Sequence, residues 1–261
     1  MKHKLRETKT IRMDKIQTNK TMHEITVLLC SVKAETEHIQ DKIKNSDSMI
    51  VGRRQALVGE LAGSKIMLVV GGVGKTNVSY TLTAIMEQIN PKRVILFGCA
   101  GAYPDTGLTI GDLAVAAKEV YGDEGILTPD GFCDLQQINL PTIDTPGNAC
   151  YNEFLLDAEL SKRVLEVLKN NGYAPCIGTF VTVSCCSGTQ KRGELLHHLF
   201  GGICENMEGA AAAHVCTIYD VPLVEIRGIS NLVVDRPGQA WNLPLAASRC
   251  QQAVLTLLEE I

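Results

Sequence analysis

The sequence of 261 residues has no apolar stretch of the roughly eighteen residues that a membrane span needs, and its amino terminus lacks the apolar core of a signal peptide. It also lacks an excess of positive charge, because the formal net charge is −4 at pH 7. A broad positive field is what attracts the phosphate backbone of nucleic acids. We therefore expect a cytoplasmic protein whose partners include neither a membrane nor a nucleic acid.

Metal-binding and disulfide patterns are missing as well. The ten cysteines are scattered, mostly within apolar runs, and no two of them form a C-x-x-C pair. This distribution is typical of reduced core residues. His197 and His198 are neighbours on a predicted helix, so their side chains point in different directions and cannot bind one metal ion together. We expect neither a metal nor a cofactor.

The composition indicates one compact domain preceded by a basic extension. Hydrophobic residues make up 45% of the chain and charged residues 21%, and the length suits a single α/β unit. Residues 1–22 contain seven lysines and arginines but few apolar residues, too few to bury the surface that folding requires. We expect residues 1–22 to be a disordered extension and residues 23–261 to form the domain.

Within the domain, short β-branched runs alternate with helical patterns. This alternation predicts a single-domain, three-layer αβα fold with a mixed, largely parallel central sheet. Residues 120–148, rich in Gly, Pro and Asp, show no periodicity and are predicted to form a long loop. The predicted strands span residues 25–30, 65–70, 93–97, 112–116, 178–183 and 223–229, and the predicted helices residues 33–44, 76–90, 153–171, 189–200, 207–219 and 243–260.

A glycine-rich turn, Gly71-Gly72-Val73-Gly74-Lys75-Thr76, lies between a predicted strand and a predicted helix, as a phosphate-binding loop does. A standard P-loop, however, has a further Gly where this chain has Val69, and no later strand ends in the Asp that would support Mg²⁺. A tight turn relieved by glycine is favoured. A nucleotide-binding switch remains the alternative from a different functional class.

Polar residues follow four other predicted strands or begin the helices after them. Ligands of parallel α/β folds bind at these strand ends. Glu35 and Glu208 each lie at a helix start, where a carboxylate either stabilises the helix dipole or stays ionised to accept hydrogen bonds from a sugar diol. The glycines of residues 98–101 allow backbone amides to approach a ligand, or form a plain turn. Asn231 has the donor and acceptor that reading a base edge requires, but it is also a common turn residue.

Taken together and in this order, these segments resemble the nucleoside phosphorylase and nucleosidase superfamily, and specifically its hydrolases, among them the 5′-methylthioadenosine/S-adenosylhomocysteine nucleosidases. The resemblance runs from about residue 24 to the carboxyl terminus and implies a nucleoside phosphorylase-like fold. Those enzymes have an acid after the first strand, a G-x-G-K turn, a G-S-A-G loop, an E-M-E helix start and an R-x-I-S-D strand end. The corresponding residues here are Glu35, Gly72-Val73-Gly74-Lys75, Gly98-Cys99-Ala100-Gly101, Met207-Glu208 and Arg227-Gly228-Ile229-Ser230-Asn231.

The resemblance implies hydrolysis of an N-glycosidic bond, with a nucleoside and water as partners. In this reading Glu35 activates water, Glu208 binds the ribose hydroxyls and Met207 packs against the ribose. Asn231, in place of the nucleosidase Asp, stabilises the leaving base and favours a 6-oxopurine such as hypoxanthine. Leu96 stands where phosphorylases have a phosphate-binding Arg, which favours water. Cys99, Ala100, Gly101 and Ser184 are the further predicted substrate-binding residues.

The segments Tyr121-Gly122-Asp123-Glu124-Gly125 and Thr128-Pro129-Asp130-Gly131-Phe132 are similar to the branch of this superfamily that hydrolyses futalosine in menaquinone biosynthesis. Arg192 is a candidate cation for the carboxyphenyl tail of that substrate. Another purine nucleosidase, acting on methylthioadenosine, adenosylhomocysteine or inosine, and a phosphorylase are the alternatives with the same fold. Relatives commonly pair, so we expect a homodimer or a higher homo-oligomer.

Overall fold

The computed structural model of the protein describes residues 24–145, 148–236 and 240–261, so the predicted extension of residues 1–22 lies outside the described residues. Fourteen strands and six α-helices alternate along these ranges. The strands are β1 (Thr26–Cys30), β2 (Lys44–Val51), β3 (Arg54–Leu61), β4 (Ser64–Val70), β5 (Arg93–Ala102), β6 (Leu113–Tyr121), β7 (Gly125–Thr128), β8 (Gly131–Asp134), β9 (Ile143–Thr145), β10 (Asn148–Cys150), β11 (Glu153–Leu155), β12 (Cys176–Thr182), β13 (Gly202–Asn206) and β14 (Leu223–Leu232). The helices are α1 (Glu37–Gln40), α2 (Lys75–Met86), α3 (Ala158–Asn170), α4 (Gln190–Phe200), α5 (Gly209–Ile218) and α6 (Leu243–Leu258).

The central sheet has ten strands, and the order of the strands determines which strand ends lie next to one another. The order is β11-β6-β12-β13-β5-β1-β4-β3-β2, with β14 paired to both β5 and β6. Strand β1 pairs in parallel with β4 and β5, and β14 pairs in parallel with β5. The pairs β5–β13, β13–β12, β12–β6, β6–β14 and β14–β5 close one end of the sheet into a ring. The carboxyl ends of β1, β5 and β14 therefore meet at one edge.

Helices cover both faces of the sheet, as the predicted three layers require. Side chains of a strand point alternately to its two faces, and β1 shows this clearly. Val27 and Leu29 pack into the core beneath α2 and α5, whereas Leu28 and Cys30 pack into the core beneath α3 and α6. All four are buried, which is typical of a strand at the centre of an α/β sheet.

The helix starts follow local capping rules that are readable from the sequence. Asp157 and Thr189 accept hydrogen bonds from the first turns of α3 and α4, at 2.9 and 3.3 Å. Asn242 caps α6, which has Pro244 in its first turn. Helix α4 ends at Gly201, whose φ of 63° lies in the left-handed region that glycine adopts without strain. None of the described helices is long and apolar enough to cross a bilayer.

All six predicted strands are present, and five of the six predicted helices are present with shifted ends. The helix predicted over residues 33–44 is wrong: only a 3₁₀ turn, Lys33–Glu35, and the single turn α1 form there. Residues 153–155 are strand β11 rather than the start of α3. The predicted loop of residues 120–148 contains the hairpin β7–β8 and the start of the hairpin β9–β10. Strands β2, β3 and β13 were not predicted.

Candidate active site

A cavity of about 280 Å³ lies where the ends of β1, β5 and β14 meet the start of α5. It has a buried end at Asn231 and an opening at Val73 and Trp241, which are 47% and 44% exposed. The structure thus brings together residues from sequence segments about 200 positions apart. Of the predicted site residues, the cavity is lined by Glu35, Cys99, Ala100, Gly101, Met207, Glu208 and Asn231.

Glu35 is held rigidly by backbone donors at the end of β1. Its Oε2 accepts the N–H groups of Ser31 and Val32 at 3.0 and 3.2 Å, and its Oε1 accepts the N–H of Cys99 at 3.0 Å. Only 5% of Glu35 is exposed. Donation from three N–H groups stabilises negative charge on the carboxylate and fixes its orientation toward the cavity.

The close approach of Glu35 to β5 depends on a glycine. A Cβ atom at Gly98 would lie 2.7 Å from Glu35 Oε1 and 3.1 Å from Arg227 Nη1, so a larger residue would displace the carboxylate. The next residue, Cys99, contributes a thiol to the cavity wall. Burial, together with the nearby charge of Glu35, raises the pKa of the Cys99 thiol, which stays a neutral S–H group.

The glycine-rich turn before α2 binds a carboxylate of this chain. Gly74 adopts a φ of 92° and donates its N–H to Glu208 Oε1 at 2.8 Å. Lys75, the next residue, pairs with Asp123 at 2.5 Å and with Glu124 at 3.1 Å. The helix amino terminus that could cradle a phosphate thus stabilises Glu208 instead, and the cation of the motif is neutralised. This arrangement does not support the nucleotide-switch reading.

Arg227 links the two sides of the site from below. Its Nη1 donates to the Cys99 carbonyl oxygen at 3.2 Å and to Glu208 Oε2 at 3.3 Å, while its Nε donates to Glu225 Oε1 at 2.8 Å. Burial alone lowers the pKa of this guanidinium, but the carboxylates of Glu225 and Glu208 more than offset that effect and raise it above its ordinary value. Arg227 is 1% exposed and is the cation that makes a buried Glu208 tolerable.

An acidic pair lies deeper, between β6 and β14. Glu119 and Glu225 are both fully buried, and among the described residues Glu225 Oε2 has no hydrogen-bond donor. Burial, and then the neighbouring Glu225, raise the pKa of Glu119 well above its ordinary value. Burial also raises the pKa of Glu225, but the Arg227 guanidinium opposes that rise, so a proton shared by the pair lies on Glu119 and Glu225 is the anion opposite Arg227.

Asn206 connects this acidic pair to the start of α5. Its Oδ1 accepts the N–H groups of Glu208 and Gly209 at 2.8 and 2.7 Å, and its Nδ2 donates to Glu119 Oε1 at 2.6 Å. Gly209 has no room for a side chain, because a Cβ there would lie 1.8 Å from Glu119 Oε1. The backbone position of Glu208 is thus fixed by Asn206 and its side chain by Gly74 and Arg227.

Asn231 reaches the cavity through an irregularity in β14. The pairing of β14 with β5 shifts register between Ile229 and Asn231, and such a bulge redirects the side chains that follow it. Ser230 Oγ donates to Asn231 Oδ1 at 2.9 Å, and Asn231 Nδ2 lies 3.3 Å from the carbonyl oxygen of Leu232. The amide nitrogen therefore keeps a hydrogen for a ligand at the buried end of the cavity.

Sequence reasoning assigned no role to several residues that line the cavity, among them Glu205, Asn206, Arg227 and Trp241. Glu205 is 4% exposed and accepts two hydrogen bonds from Ser187, from its backbone N–H at 2.7 Å and from its Oγ at 2.6 Å. Burial raises the pKa of Glu205, and the Ser187 donors oppose that rise. One signal in the sequence could have identified the network around Arg227. Glu225 and Arg227 are oppositely charged residues inside a strand that is otherwise largely apolar, and buried charges need partners.

Two predicted binding residues lie elsewhere. Ser184 is exposed, is not among the residues that line the cavity, and donates its N–H to Asp123 at 2.6 Å. Cys186 of the same segment does line it. Arg192 donates to the carbonyl oxygen of Cys185 at 3.1 Å. In the ranges that the structure describes, no three His, Cys, Asp or Glu side chains are grouped as metal ligands.

The chain belongs to the phosphorylase superfamily, whose family model matches residues 26–259. The protein is an enzyme of the nucleosidase kind, that is, an N-glycosyl hydrolase, as are the two relatives described next. It is 31% identical over 203 residues to futalosine hydrolase of Thermus thermophilus, covering 77% of this chain and 84% of the relative. It is 25% identical over 229 residues to the 5′-methylthioadenosine/S-adenosylhomocysteine nucleosidase of Mycobacterium bovis, covering 82% and 88%.

Solved structures support the fold assignment. The Neisseria meningitidis 5′-methylthioadenosine/S-adenosylhomocysteine nucleosidase, in complex with methylthio-immucillin-A, superposes with a TM-score of 0.78 at 21% identity. The superposition covers 91% of this chain and all of the other. The predicted α/β fold, nucleoside phosphorylase-like with a mixed, largely parallel sheet, is confirmed.

Proposed function

We propose that the protein hydrolyses the N-glycosidic bond of futalosine, releasing hypoxanthine. The observation that carries this proposal is the convergence of Glu35, Glu208 and Asn231 on one cavity with a buried end and an open end. These two acids and the amide supply what hydrolytic loss of a 6-oxopurine needs: one acid to activate water, one to bind the sugar, and an amide to receive the base.

Water activation falls to Glu35 in this proposal. The transition state resembles an oxocarbenium ion, and water attacks the anomeric carbon from the face opposite the base. Glu35 accepts the proton of that water as the new C–O bond forms and the bond to the base nitrogen breaks. Because three backbone N–H groups hold the carboxylate, it needs no reorganisation to receive the proton.

Glu208 and Met207 bind the ribose in this proposal. A carboxylate accepts hydrogen bonds from both hydroxyls of a ribose diol, and its negative charge stabilises the positive charge that develops on the ring. Glu208 Oε1 and Oε2 are each anchored by one donor, Gly74 and Arg227, which leaves lone pairs on both oxygens for the diol. Met207, which lines the same wall, offers an apolar contact for the sugar.

The nucleophile is proposed to be water rather than phosphate. Leu96, at the position where phosphorylases have an arginine, is 1% exposed and packs in the apolar core with Val27 and Val94. Arg227, the cation beneath the cavity, is already paired with Glu225 and Glu208. An attacking phosphate dianion would thus meet Glu35 and Glu208 without a compensating charge from these residues.

The test is release of free base, followed by chromatography, from purified protein with futalosine, 5′-methylthioadenosine or inosine, each with and without inorganic phosphate. Hypoxanthine released from futalosine without phosphate is the expected result. Release of adenine from methylthioadenosine alone would keep the nucleosidase activity and reject the substrate. A strict requirement for phosphate, with release of the sugar as its 1-phosphate, would reject hydrolysis.

Replacing Asn231 by Asp is expected to shift the preference from 6-oxo to 6-amino nucleosides. The amide donates to N7 and O6 of hypoxanthine, whereas an aspartate can share a proton with N7 beside a 6-amino group. We expect the ratio of kcat/KM for inosine to kcat/KM for adenosine to fall about 10- to 100-fold, the size of one or two mismatched hydrogen bonds. An Asn231→Ala control, which removes the amide without adding a carboxylate, should lower kcat/KM for inosine without raising it for adenosine. An unchanged ratio in Asn231→Asp would contradict the assigned base contact.

The predicted homo-oligomer stays a prediction, which light scattering of the purified protein would check.

A further inference from the structure

A basic groove is formed by residues of β2, β3 and β4 together with Lys33, Thr36 and Gln40, which follow β1. It has a volume of about 550 Å³, and its charged side chains are Lys33, Arg53 and Arg54, with no Asp or Glu among the lining residues. Among the described residues, no carboxylate lies within 4 Å of these three cations. In a chain with a net charge of −4, this is a local concentration of uncompensated positive charge.

Arg54 is fixed in place rather than solvated at random. Its Nη2 donates to Asn77 Oδ1 at 2.6 Å, and Asn77 in turn donates to the carbonyl oxygen of Val73 at 2.8 Å. The same guanidinium lies against Gly72, where a Cβ atom would be 3.1 Å from Nη2. A guanidinium has five N–H donors, so the one used by Asn77 leaves the others for a ligand.

Chain neighbours and hydrogen bonds connect the groove to the lining of the nucleoside cavity. Val32 and Val73 line the cavity at its opening, and they are 41% and 47% exposed. Lys33 follows Val32 in the chain, and Arg54 is tied to Val73 through Asn77. A ligand with its base at the buried end would extend its 5′ substituent toward this opening, where Lys33 and Arg54 are the cations connected to Val32 and Val73.

The chemistry of the groove selects the kind of substituent. Ala56, Leu57 and Val70 add an apolar wall beside the cations. An apolar wall flanked by a fixed guanidinium and a lysine suits a planar aromatic group that bears a carboxylate, because guanidinium and carboxylate match in a two-point hydrogen bond. Arg192, the cation suggested by the sequence alone, instead bonds to Cys185 on the segment before α4.

We propose that this groove, with Arg54 and Lys33 as its cations, binds a carboxylate on an aryl group attached to the 5′ side of the nucleoside. The inference rests on the proposed function, since it assigns the substrate class of the same site. It predicts that the enzyme distinguishes nucleosides by the charge of their 5′ substituent, independently of the base.

The test pairs a change in the protein with a change in the ligand. For the wild-type enzyme, kcat/KM for futalosine is expected to exceed that for its methyl ester about tenfold or more, because the ester has no anionic carboxylate. In Arg54→Gln and in Lys33→Gln this ratio should approach one, through a higher KM for the acid rather than a lower kcat. Lys169→Gln, which removes an exposed lysine on α3, should keep the wild-type ratio.

Ionic strength and phosphate give independent readouts. Added KCl should raise the KM for the acid but not for the ester. Inorganic phosphate should compete with the acid without appearing in the product, whereas a sugar phosphate product would mean that the groove delivers phosphate to the reaction. Equal losses for acid and ester in Arg54→Gln, or a wild-type ratio near one, would overturn the proposal.

Failure of the proposed function is distinguishable from failure of this inference. Release of hypoxanthine from futalosine and from its methyl ester with equal kcat/KM would keep the proposed function and reject the groove. If no nucleoside releases base, the affinities of the wild-type protein for the acid and the ester still test the groove by calorimetry. Equal affinities would then reject it.

Discussion

Replacing Glu35 by Gln is expected to lower kcat for base release about 10²- to 10⁴-fold, the usual contribution of a general base. The amide keeps a carbonyl oxygen that can accept the backbone donors on one side, but it cannot take a proton from water. The measurement is the rate of base release at saturating futalosine, alongside near-ultraviolet circular dichroism to confirm tertiary structure. Glu37→Gln, which alters an exposed acid two residues away, should retain the wild-type rate.

A bypass experiment tests whether Glu35 acts as a general base or only supports the structure of the site. Azide is an anion that attacks the anomeric carbon without losing a proton, so it does not need a general base. We expect sodium azide to restore base release in Glu35→Ala, with a glycosyl azide as the sugar product, but not in Glu208→Gln, whose defect lies in binding the ribose. Near-wild-type rates in Glu35→Gln, or no rescue by azide in a folded Glu35→Ala, would argue against water activation by this residue.

Replacing Arg227 by Met is expected to lower the free energy of unfolding by about 3–5 kcal/mol, the usual cost of removing one partner from a buried ion pair. The guanidinium bonds to Glu225 and Glu208, whose side chains are 0% and 5% exposed, so its removal leaves two carboxylates buried without a cation. The measurement is urea-induced unfolding at pH 7. Arg249→Met, which removes an exposed arginine from α6, should change stability by less than about 0.5 kcal/mol.

A double substitution tests the cause of that loss. In Glu225→Gln/Arg227→Met the buried anion opposite the missing cation is also removed. Its destabilisation should be smaller than the sum of the two single effects by about 0.5–3 kcal/mol, the range of coupling between contacting residues. Strict additivity, or a loss under about 1 kcal/mol in Arg227→Met alone, would show that the carboxylates do not depend on this cation.

The sequence does not predict strand β2, and the structure shows the physical reason. Strand β2 is almost wholly exposed and lies at the edge of the sheet, paired only with β3. Its polar sequence, KNSDSMIV, does not alternate apolar and polar residues, because neither face of the strand is buried. The strand is held by backbone hydrogen bonds to β3, which leave no pattern in the sequence. The helix predicted over residues 33–44 also overlaps this strand by one residue, Lys44.

The sequence by itself determined the strand–helix alternation, and with it the mixed parallel sheet, because buried strands and capped helices have local patterns. It also located Glu35, Glu208 and Asn231, since each stands at a strand end or helix start where such folds bind ligands. Their roles remain proposals that the experiments above test.

Only the tertiary structure decided which partners hold those residues. The donors to Glu35 come from β5 as well as from its own loop, and Glu208 is anchored by Gly74, 134 positions earlier. Arg227 joins Glu208 to the buried Glu225. The basic groove likewise combines Lys33 after β1 with Arg54 at the start of β3. A single sequence contains no local signal for such contacts, because their energies arise when burial removes water from groups that the chain brings together from distant positions.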